Sequence, residues 1–106
     1  MNRKEIFSRD GYICQICGKP VRSYGFEQIA HCIKQGKGSE DYVMQFIWNE
    51  YRKDRSRKWV KDNIINHPDN LKSVCSLRCN DRCNIFNKPV ERDILLQKII
   101  KKVINN

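Results

Sequence analysis

The sequence lacks any apolar run long enough to cross a membrane, and no apolar signal segment follows its opening residues, Met-Asn-Arg-Lys-Glu. It also lacks internal repeats and low-complexity linkers, so its 106 residues are expected to form a single domain, residues 1–106. These absences predict a cytoplasmic protein with no membrane partner. In a reducing compartment, its six cysteines indicate metal binding before disulfide bonds.

Acidic residues are scarce relative to basic ones: 12 Asp and Glu stand against 21 Lys and Arg, for a formal net charge of +9. This excess favours a polyanionic partner, for which nucleic acid is the usual candidate and an anionic membrane surface the alternative. Because 31% of the residues are charged, a chain of this length buries only a modest apolar core. A structural metal would compensate for part of that deficit.

The pattern of apolar and turn residues predicts an α+β fold of short elements. Helices are expected over residues 3–9 and 77–86, and strands over 26–33 and 71–74. Ser39, followed by two acidic residues, starts an inserted helical segment, about residues 39–62, that would run on to Trp59 or Val60. Ile64-Ile65 would be a short extended piece.

A C-terminal helix, about residues 89–104, is predicted to begin at Pro89, which suits the first turn of a helix. Its apolar stripe would consist of Val90, Ile94, Leu95, Ile99 and Val103. Between the extended piece and the second strand, residues 67–70 form a turn by composition.

Two cysteine pairs have the spacing of metal ligands. In Cys14-x-x-Cys17 the thiolates flank a tight turn, and Cys75-x-x-x-Cys79 supplies two more, so the four can close a tetrahedral site. Soft thiolates favour structural Zn²⁺. Cys83 follows Cys79 with the same spacing that separates Cys75 from Cys79. The sequence therefore leaves open whether Cys83 replaces Cys75 or Cys79 as a zinc ligand. The favoured zinc site uses Cys75 and Cys79, and Cys32 and Cys83 are then left over and expected to be small core residues.

The order of these motifs resembles that of the HNH endonucleases. In chain order they are Arg9-Asp10-Gly11-Tyr12-Ile13-Cys14-Gln15-Ile16-Cys17-Gly18, Ile29-Ala30-His31 at a strand end, Asn70-Leu71, and Val74-Cys75-x-x-x-Cys79-Asn80. The likeness extends from about Arg3 to Asn87, interrupted by the charged segment between Gly38 and Ile65. It implies a small zinc-stabilised ββα-metal (HNH) domain, in which two strands and a helix hold one divalent metal.

The resemblance also implies a role for each matching residue. His31 would be the general base that activates the attacking water, and Asn70 would pin the connecting loop and orient His31. Asn80 would bind a catalytic Mg²⁺ or Mn²⁺, with Asn84 as a second ligand one helical turn later. Because these two asparagines lie four residues apart, a helix would turn both amide oxygens to the same side.

Two departures from the family pattern keep other functions open. Many members have Asp or His directly before the catalytic His, where this chain has Ala30, and Glu27 is two alternations away on the His31 face of the strand. An extra residue between the second pair of cysteines shifts Asn80 by one position. The alternatives are a non-catalytic zinc-containing module that binds nucleic acid and, third, a toxin-like protein-binding module.

The predicted function is a metal-dependent HNH endonuclease that hydrolyses DNA phosphodiester bonds. Candidate phosphate contacts, which supply affinity without reading sequence, are Lys34, Lys37, Arg52, Arg55, Arg57 and Lys58. For the cationic run over residues 52–58, a solvated helix face is an equal alternative. The helical insertion would either widen the DNA footprint or form a contact in a homodimer.

Overall fold

The computed structural model describes residues 2–21 and 28–105. Within these ranges the fold is α+β, as predicted. In chain order its elements are α1 (Arg3–Arg9), β1 (Gln28–His31), α2 (Lys37–Tyr51), α3 (Arg57–Val60), a π-helical turn (Lys61–Ile65), a 3-10 turn (Pro68–Asn70), β2 (Leu71–Val74), α4 (Leu77–Cys83) and α5 (Pro89–Val103). No helix in the described ranges is both long and apolar enough to span a membrane.

The sheet has two strands, and it positions the candidate site. β1 pairs antiparallel with β2, so that Gln28 lies opposite Val74 and His31 opposite Leu71. Helix α4 packs against both strands, and α1 packs against β2. The arrangement brings the end of β1, the start of α4 and the loop after β2 close together.

Most of the buried apolar side chains form two clusters. The sheet cluster lies between the strands, α1 and α4, and consists of Phe7, Cys14, Val21, Ala30, Cys32, Val74, Cys79 and Cys83. The helical cluster lies among α2, α3, the π-helical turn and α5, and consists of Ile33, Val43, Ile47, Val60, Ile64, Ile65, Leu96, Ile99, Ile100, Val103 and Ile104. Leu95 packs against both clusters. The cysteines thus share their core with the sheet, while the insertion and α5 supply a core of their own.

The predicted bounds of α1 and β2 are confirmed, and α5 begins at Pro89 as expected. The side chain of Asn2 caps α1 by accepting a hydrogen bond from the Glu5 N–H at 2.9 Å. In α5 the predicted apolar stripe is partly wrong. Val90 and Ile94 are 73% and 65% exposed, whereas Leu96 is fully buried along with Ile100.

The predicted continuous helix over the insertion is wrong in its length. Helix α2 begins at Lys37 and ends at Tyr51, because Arg52 adopts a left-handed backbone with φ of 53° and donates its N–H to Trp48 O. A separate helix, α3, then begins after Ser56, whose hydroxyl accepts a hydrogen bond from the Trp59 N–H at 3.0 Å. The insertion is therefore helical but divided at residues 52–56.

Three other predicted boundaries differ from the structure. Residues 64 and 65 lie in the π-helical turn and are not extended, because their side chains are buried in the helical cluster. β1 ends at His31, before the predicted end at residue 33, and α4 ends at Cys83, before residue 86. The predicted start of the first strand at residue 26 lies outside the described residues.

Candidate metal centre and adjoining cleft

Four cysteines from three parts of the chain meet at one point. The Sγ atoms of Cys14, Cys17, Cys75 and Cys79, here called the four-thiol cluster, all lie within 4.8 Å of one another. The first two lie in a tight turn in which the Gly18 N–H donates to Cys14 O at 2.9 Å. Gly18 has a positive φ of 79°, a conformation that suits glycine. The predicted metal-binding set is therefore brought together.

The spacing of the sulfurs fits a tetrahedral metal ion. The Sγ atoms of Cys17 and Cys75 are 3.4 Å apart, and those of Cys75 and Cys79 are 3.8 Å apart. Four Zn–S bonds of about 2.3 Å in a tetrahedron separate the sulfurs by about 3.8 Å. The four-thiol cluster can therefore hold a metal such as zinc, which thiolate ligands favour.

The local backbone already favours a thiolate at Cys14. Burial alone would raise the pKa of this thiol, but hydrogen bonds from the backbone of Cys17, Ile16 and Cys75 outweigh burial and lower the pKa to about 6. The hydrogen bond with Cys17 instead raises the pKa of Cys75 to about 12. A bound cation would displace the protons of the thiols that remain protonated.

Cys83 does not belong to the four-thiol cluster. Its Sγ lies 3.2 Å from that of Cys32, and both side chains are buried, with 3% and 2% of their surface exposed. The open alternative, in which Cys83 replaces Cys75 or Cys79, is therefore not the arrangement of this structure. The expectation that the two remaining cysteines are small core residues is confirmed.

His31 and Asn80 line one cavity, although they come from distant parts of the sequence. The cavity, here called the His31 cleft, has a volume of about 320 Å³, and its other described lining residues are Ile29, Lys34 and Gln35. His31 ends β1, whereas Asn80 lies in α4 directly after Cys79. The Asn80 Nδ2 donates to the Oε1 of Gln28 at 3.2 Å, which leaves the amide oxygen of Asn80 available.

Asn70 fastens two loops together through its buried side chain. Its Oδ1 accepts a hydrogen bond from the Ile33 N–H at 2.7 Å, while its Nδ2 donates to Ile33 O at 3.0 Å and to Ile65 O at 2.8 Å. The side chain is fully buried. The loop-pinning contacts expected of Asn70 are thus present. Because both amide protons are used on backbone carbonyls, neither is left to orient His31.

The side chain of Asn66 contacts the His31 ring. The Nε2 of His31 lies 2.9 Å from the Oδ1 of Asn66, which is the residue directly after the π-helical turn. Sequence reasoning missed this residue. No spacing or motif marks it, because an exposed asparagine before a turn is common and only the tertiary fold brings it to the end of β1.

Asn84 does not share a helical face with Asn80. The backbone of Asn84 is extended, with ψ of 119°, because α4 ends at Cys83. Its Oδ1 accepts a hydrogen bond from the Phe86 N–H at 2.9 Å. The expected alignment of two amide oxygens on consecutive helical turns is therefore wrong, and Asn80 is the asparagine of this pair that lines the His31 cleft.

Ala30, which precedes His31, is fully buried in the sheet cluster. Successive residues of a strand face opposite sides, so the position next to His31 directs its methyl group away from the His31 face. Glu27, the acidic residue predicted to share that face, lies outside the described residues. The residues that the structure describes around the cleft contribute an imidazole, two amides and an ammonium group, but no carboxylate.

The candidate phosphate contacts fall into two groups. Arg57 is paired with Glu40 and Asp41, and Lys58 with Asp62. Arg55 is also engaged, because it donates to Ile104 O at 2.7 Å and stacks over the Trp59 ring. The remaining three, Lys34, Lys37 and Arg52, are exposed.

Of those exposed cations, Lys34 is the one that lines the His31 cleft. Lys37 is the first residue of α2, and the guanidinium of Arg52 lies over the Trp48 ring at 5.9 Å from its centroid. Comparisons with protein-family models, curated proteins and solved structures found no match for this chain. The interpretation of the site depends on its own geometry.

Proposed function

We propose that this protein is a metal-dependent endonuclease of the HNH type that hydrolyses DNA phosphodiester bonds. The observation that carries the proposal is the common position of His31 and Asn80 on the His31 cleft, beside the four-thiol cluster. Cleavage of a phosphodiester needs a base for the attacking water and a cation near the leaving oxygen. The cleft offers a residue for each requirement.

His31 is assigned as the general base. Its half-buried imidazole lies at the open end of β1, and a neutral imidazole can accept a proton from water near neutral pH. Lys34, which lines the same cleft, would attract and position the scissile phosphate without reading the base sequence. The partner that these two side chains fit is a polyanion, in agreement with the net charge of +9.

Asn80 is assigned as the protein ligand of a catalytic Mg²⁺ or Mn²⁺. These cations prefer oxygen ligands, and the available amide oxygen of Asn80 is of that kind. Water and substrate phosphate would complete the shell, as is usual for Mg²⁺. When bound, the cation would neutralise charge on the leaving oxygen. We centre the assignment on Asn80 because the oxygen of Asn84 already accepts the Phe86 N–H.

The four-thiol cluster is assigned to structural zinc. Its last member, Cys79, directly precedes Asn80 in α4, and the start of that helix is further held by Ser76, whose hydroxyl accepts the Cys79 N–H at 3.2 Å. Zinc would therefore hold one wall of the His31 cleft in place, while taking no part in the hydrolysis itself.

A plasmid-nicking assay tests the assignment. Supercoiled plasmid is incubated with the zinc-loaded protein and either Mg²⁺ or Mn²⁺, and the parent is compared with His31→Ala. We expect the substitution to slow nicking by a factor of about 10² or more, the usual contribution of a general base. Gln35→Ala, a change in the same cleft, is the matched control and should leave nicking within a few-fold of the parent. Nicking that survives His31→Ala would remove His31 from the reaction.

A second candidate function is a non-catalytic zinc-containing module that binds nucleic acid. The absence of a carboxylate among the described residues that line the His31 cleft favours this candidate, because the cleft then offers few ligands to a catalytic cation. It predicts that the parent binds DNA with a strong dependence on salt concentration but cleaves nothing with either cation. The same plasmid assay, run beside a binding titration, separates the two candidates.

A further inference from the structure

The segment that ends β1 and the segment that follows the π-helical turn lie side by side because Asn70 fastens them. Its side chain bonds to both backbone groups of Ile33, two residues after His31, and to the carbonyl of Ile65, directly before Asn66. The backbone N–H of Asn66 donates to Lys61 O at 3.0 Å, which fixes that residue at the end of the turn. The fold thus holds Asn66 beside the His31 ring.

The contact between these two side chains determines where the imidazole carries its proton. A neutral imidazole has one N–H group and one bare nitrogen, and an amide oxygen can only accept a hydrogen bond. With Asn66 Oδ1 at 2.9 Å from His31 Nε2, the N–H group is on Nε2. The nitrogen left with a lone pair is Nδ1.

We propose that Asn66 is a positioning residue that holds the His31 imidazole in its Nε2-protonated form, so that Nδ1 is the nitrogen that accepts the proton from water. This inference rests on the proposed function, because His31 acts as a general base only if the protein activates a water molecule for hydrolysis. It transfers the orienting role from Asn70, whose amide protons are used on backbone carbonyls, to a residue that no motif marks. Asn66 itself is exposed, so its substitution leaves both apolar clusters intact.

Nitrogen-15 NMR of the imidazole side chains tests the tautomer without any nuclease assay. At a pH where the imidazole is neutral, the parent should show an unprotonated Nδ1 and a protonated Nε2 for His31. In Asn66→Leu, which keeps the size and removes the acceptor, both shifts should move toward the average of a tautomer mixture. Asn66→Asp keeps an acceptor and should restore the parent pattern. Overlapping spectra for the parent and Asn66→Leu would overturn the proposal, as would a protonated Nδ1 in the parent.

The second histidine provides an internal reference for this measurement. The Nδ1 of His67 accepts a hydrogen bond from the Asp69 N–H at 3.0 Å, so its proton is on Nε2 for a reason unrelated to Asn66. Its shifts should be the same in the parent and in both variants. A change at His67 together with a lowered unfolding midpoint would show that the turn itself has been disturbed, and the positioning role would then be refuted.

The plasmid assay supplies the kinetic arm. Asn66→Leu should lower kcat by about tenfold to a hundredfold, the usual effect of losing a group that orients a functional side chain, with KM little changed. Asn66→Asp should recover most of the activity. If the parent fails to nick DNA, the proposed function fails while NMR still decides the tautomer. If the tautomer shifts in Asn66→Leu but nicking continues at the parental rate, Nδ1 is not the proton acceptor and the positioning role is wrong.

Discussion

Replacing Asn70 with aspartate changes two hydrogen-bond donors into acceptors at a fully buried position of almost unchanged shape. The Ile33 N–H can still donate to the new side chain, but the carbonyls of Ile33 and Ile65 lose their partner, Nδ2 of the amide. Each buried polar group left without a partner costs about 1–3 kcal/mol. The two carbonyls together therefore predict a loss of about 2–6 kcal/mol, a large share of the 5–15 kcal/mol typical of a folded domain.

Urea unfolding of the zinc-loaded protein measures this loss, with the fluorescence of its two tryptophans as the signal. Asn87→Asp makes the same chemical change at an exposed position and should shift the free energy of unfolding by no more than about 0.5 kcal/mol. A loss below about 1 kcal/mol for Asn70→Asp, relative to that control, would refute the reasoning that the buried amide fastens the two loops. Loss of nicking in Asn70→Asp should exceed the fraction unfolded, because the lost hydrogen bonds also hold the segment of Asn66 beside His31.

Three further predictions concern metal, pH and charge. Removing the metal with a chelator should lower the midpoint of thermal unfolding and Zn²⁺ should restore it; equal midpoints would contradict the assignment of the four-thiol cluster. Partial burial raises the pKa of the Asp10 carboxyl group, but hydrogen bonds from Arg9 and Ser73 outweigh this effect and lower the pKa from its usual value. The ionised carboxylate therefore stabilises the folded protein fully at neutral pH. This stabilisation is lost as the pH falls through the lowered pKa. Asp10→Asn should therefore destabilise the protein by about 1–2 kcal/mol at pH 7, and its thermal unfolding should converge with the parent's as the pH falls through the lowered pKa. A difference independent of pH would contradict this. In fluorescence anisotropy titrations, Lys34→Ala should reduce the salt dependence of DNA binding by about one unit of slope, whereas Lys58→Ala, whose ammonium is already paired, should reduce it far less; equal slopes would contradict the division of the cations.

The parts of the fold that the sequence predicted correctly are those set by local chemistry. Helix α1 has a capping side chain at Asn2, and α5 has Pro89 in its first turn, so their starts follow from hydrogen bonding and backbone geometry within a few residues. The four-thiol cluster also follows from local chemistry, because paired thiolates at close spacing have little use in a reducing compartment except to bind metal. Such features can be recognised without knowledge of distant contacts, although the meeting of the two cysteine pairs is itself a contact between distant segments.

The parts that were wrong depend on contacts between distant segments. The break falls at two residues that favour helix, Arg52 and Lys53, and no Gly or Pro near it in the sequence marks the end of a helix. A distant contact holds the chain after the break, because Arg55 donates to the carbonyl of Ile104, the residue that follows α5. The Asn66 contact with His31 is of the same kind, since two segments well separated in sequence must be fastened by Asn70 before the side chains meet.

Cys79 and Asn80 are consecutive residues of one helical turn, so a metal bound to the four-thiol cluster would also fix the proposed oxygen ligand of the catalytic cation. Loss of zinc would then abolish the proposed nicking activity without altering any side chain that takes part in the reaction. A strong chelator would strip both kinds of ion together and abolish nicking whichever ion performs the reaction. The ions would therefore be added back one after the other, first a stoichiometric amount of zinc and then an excess of magnesium or manganese. Nicking measured after each addition would show which ion supports the fold and which supports the reaction.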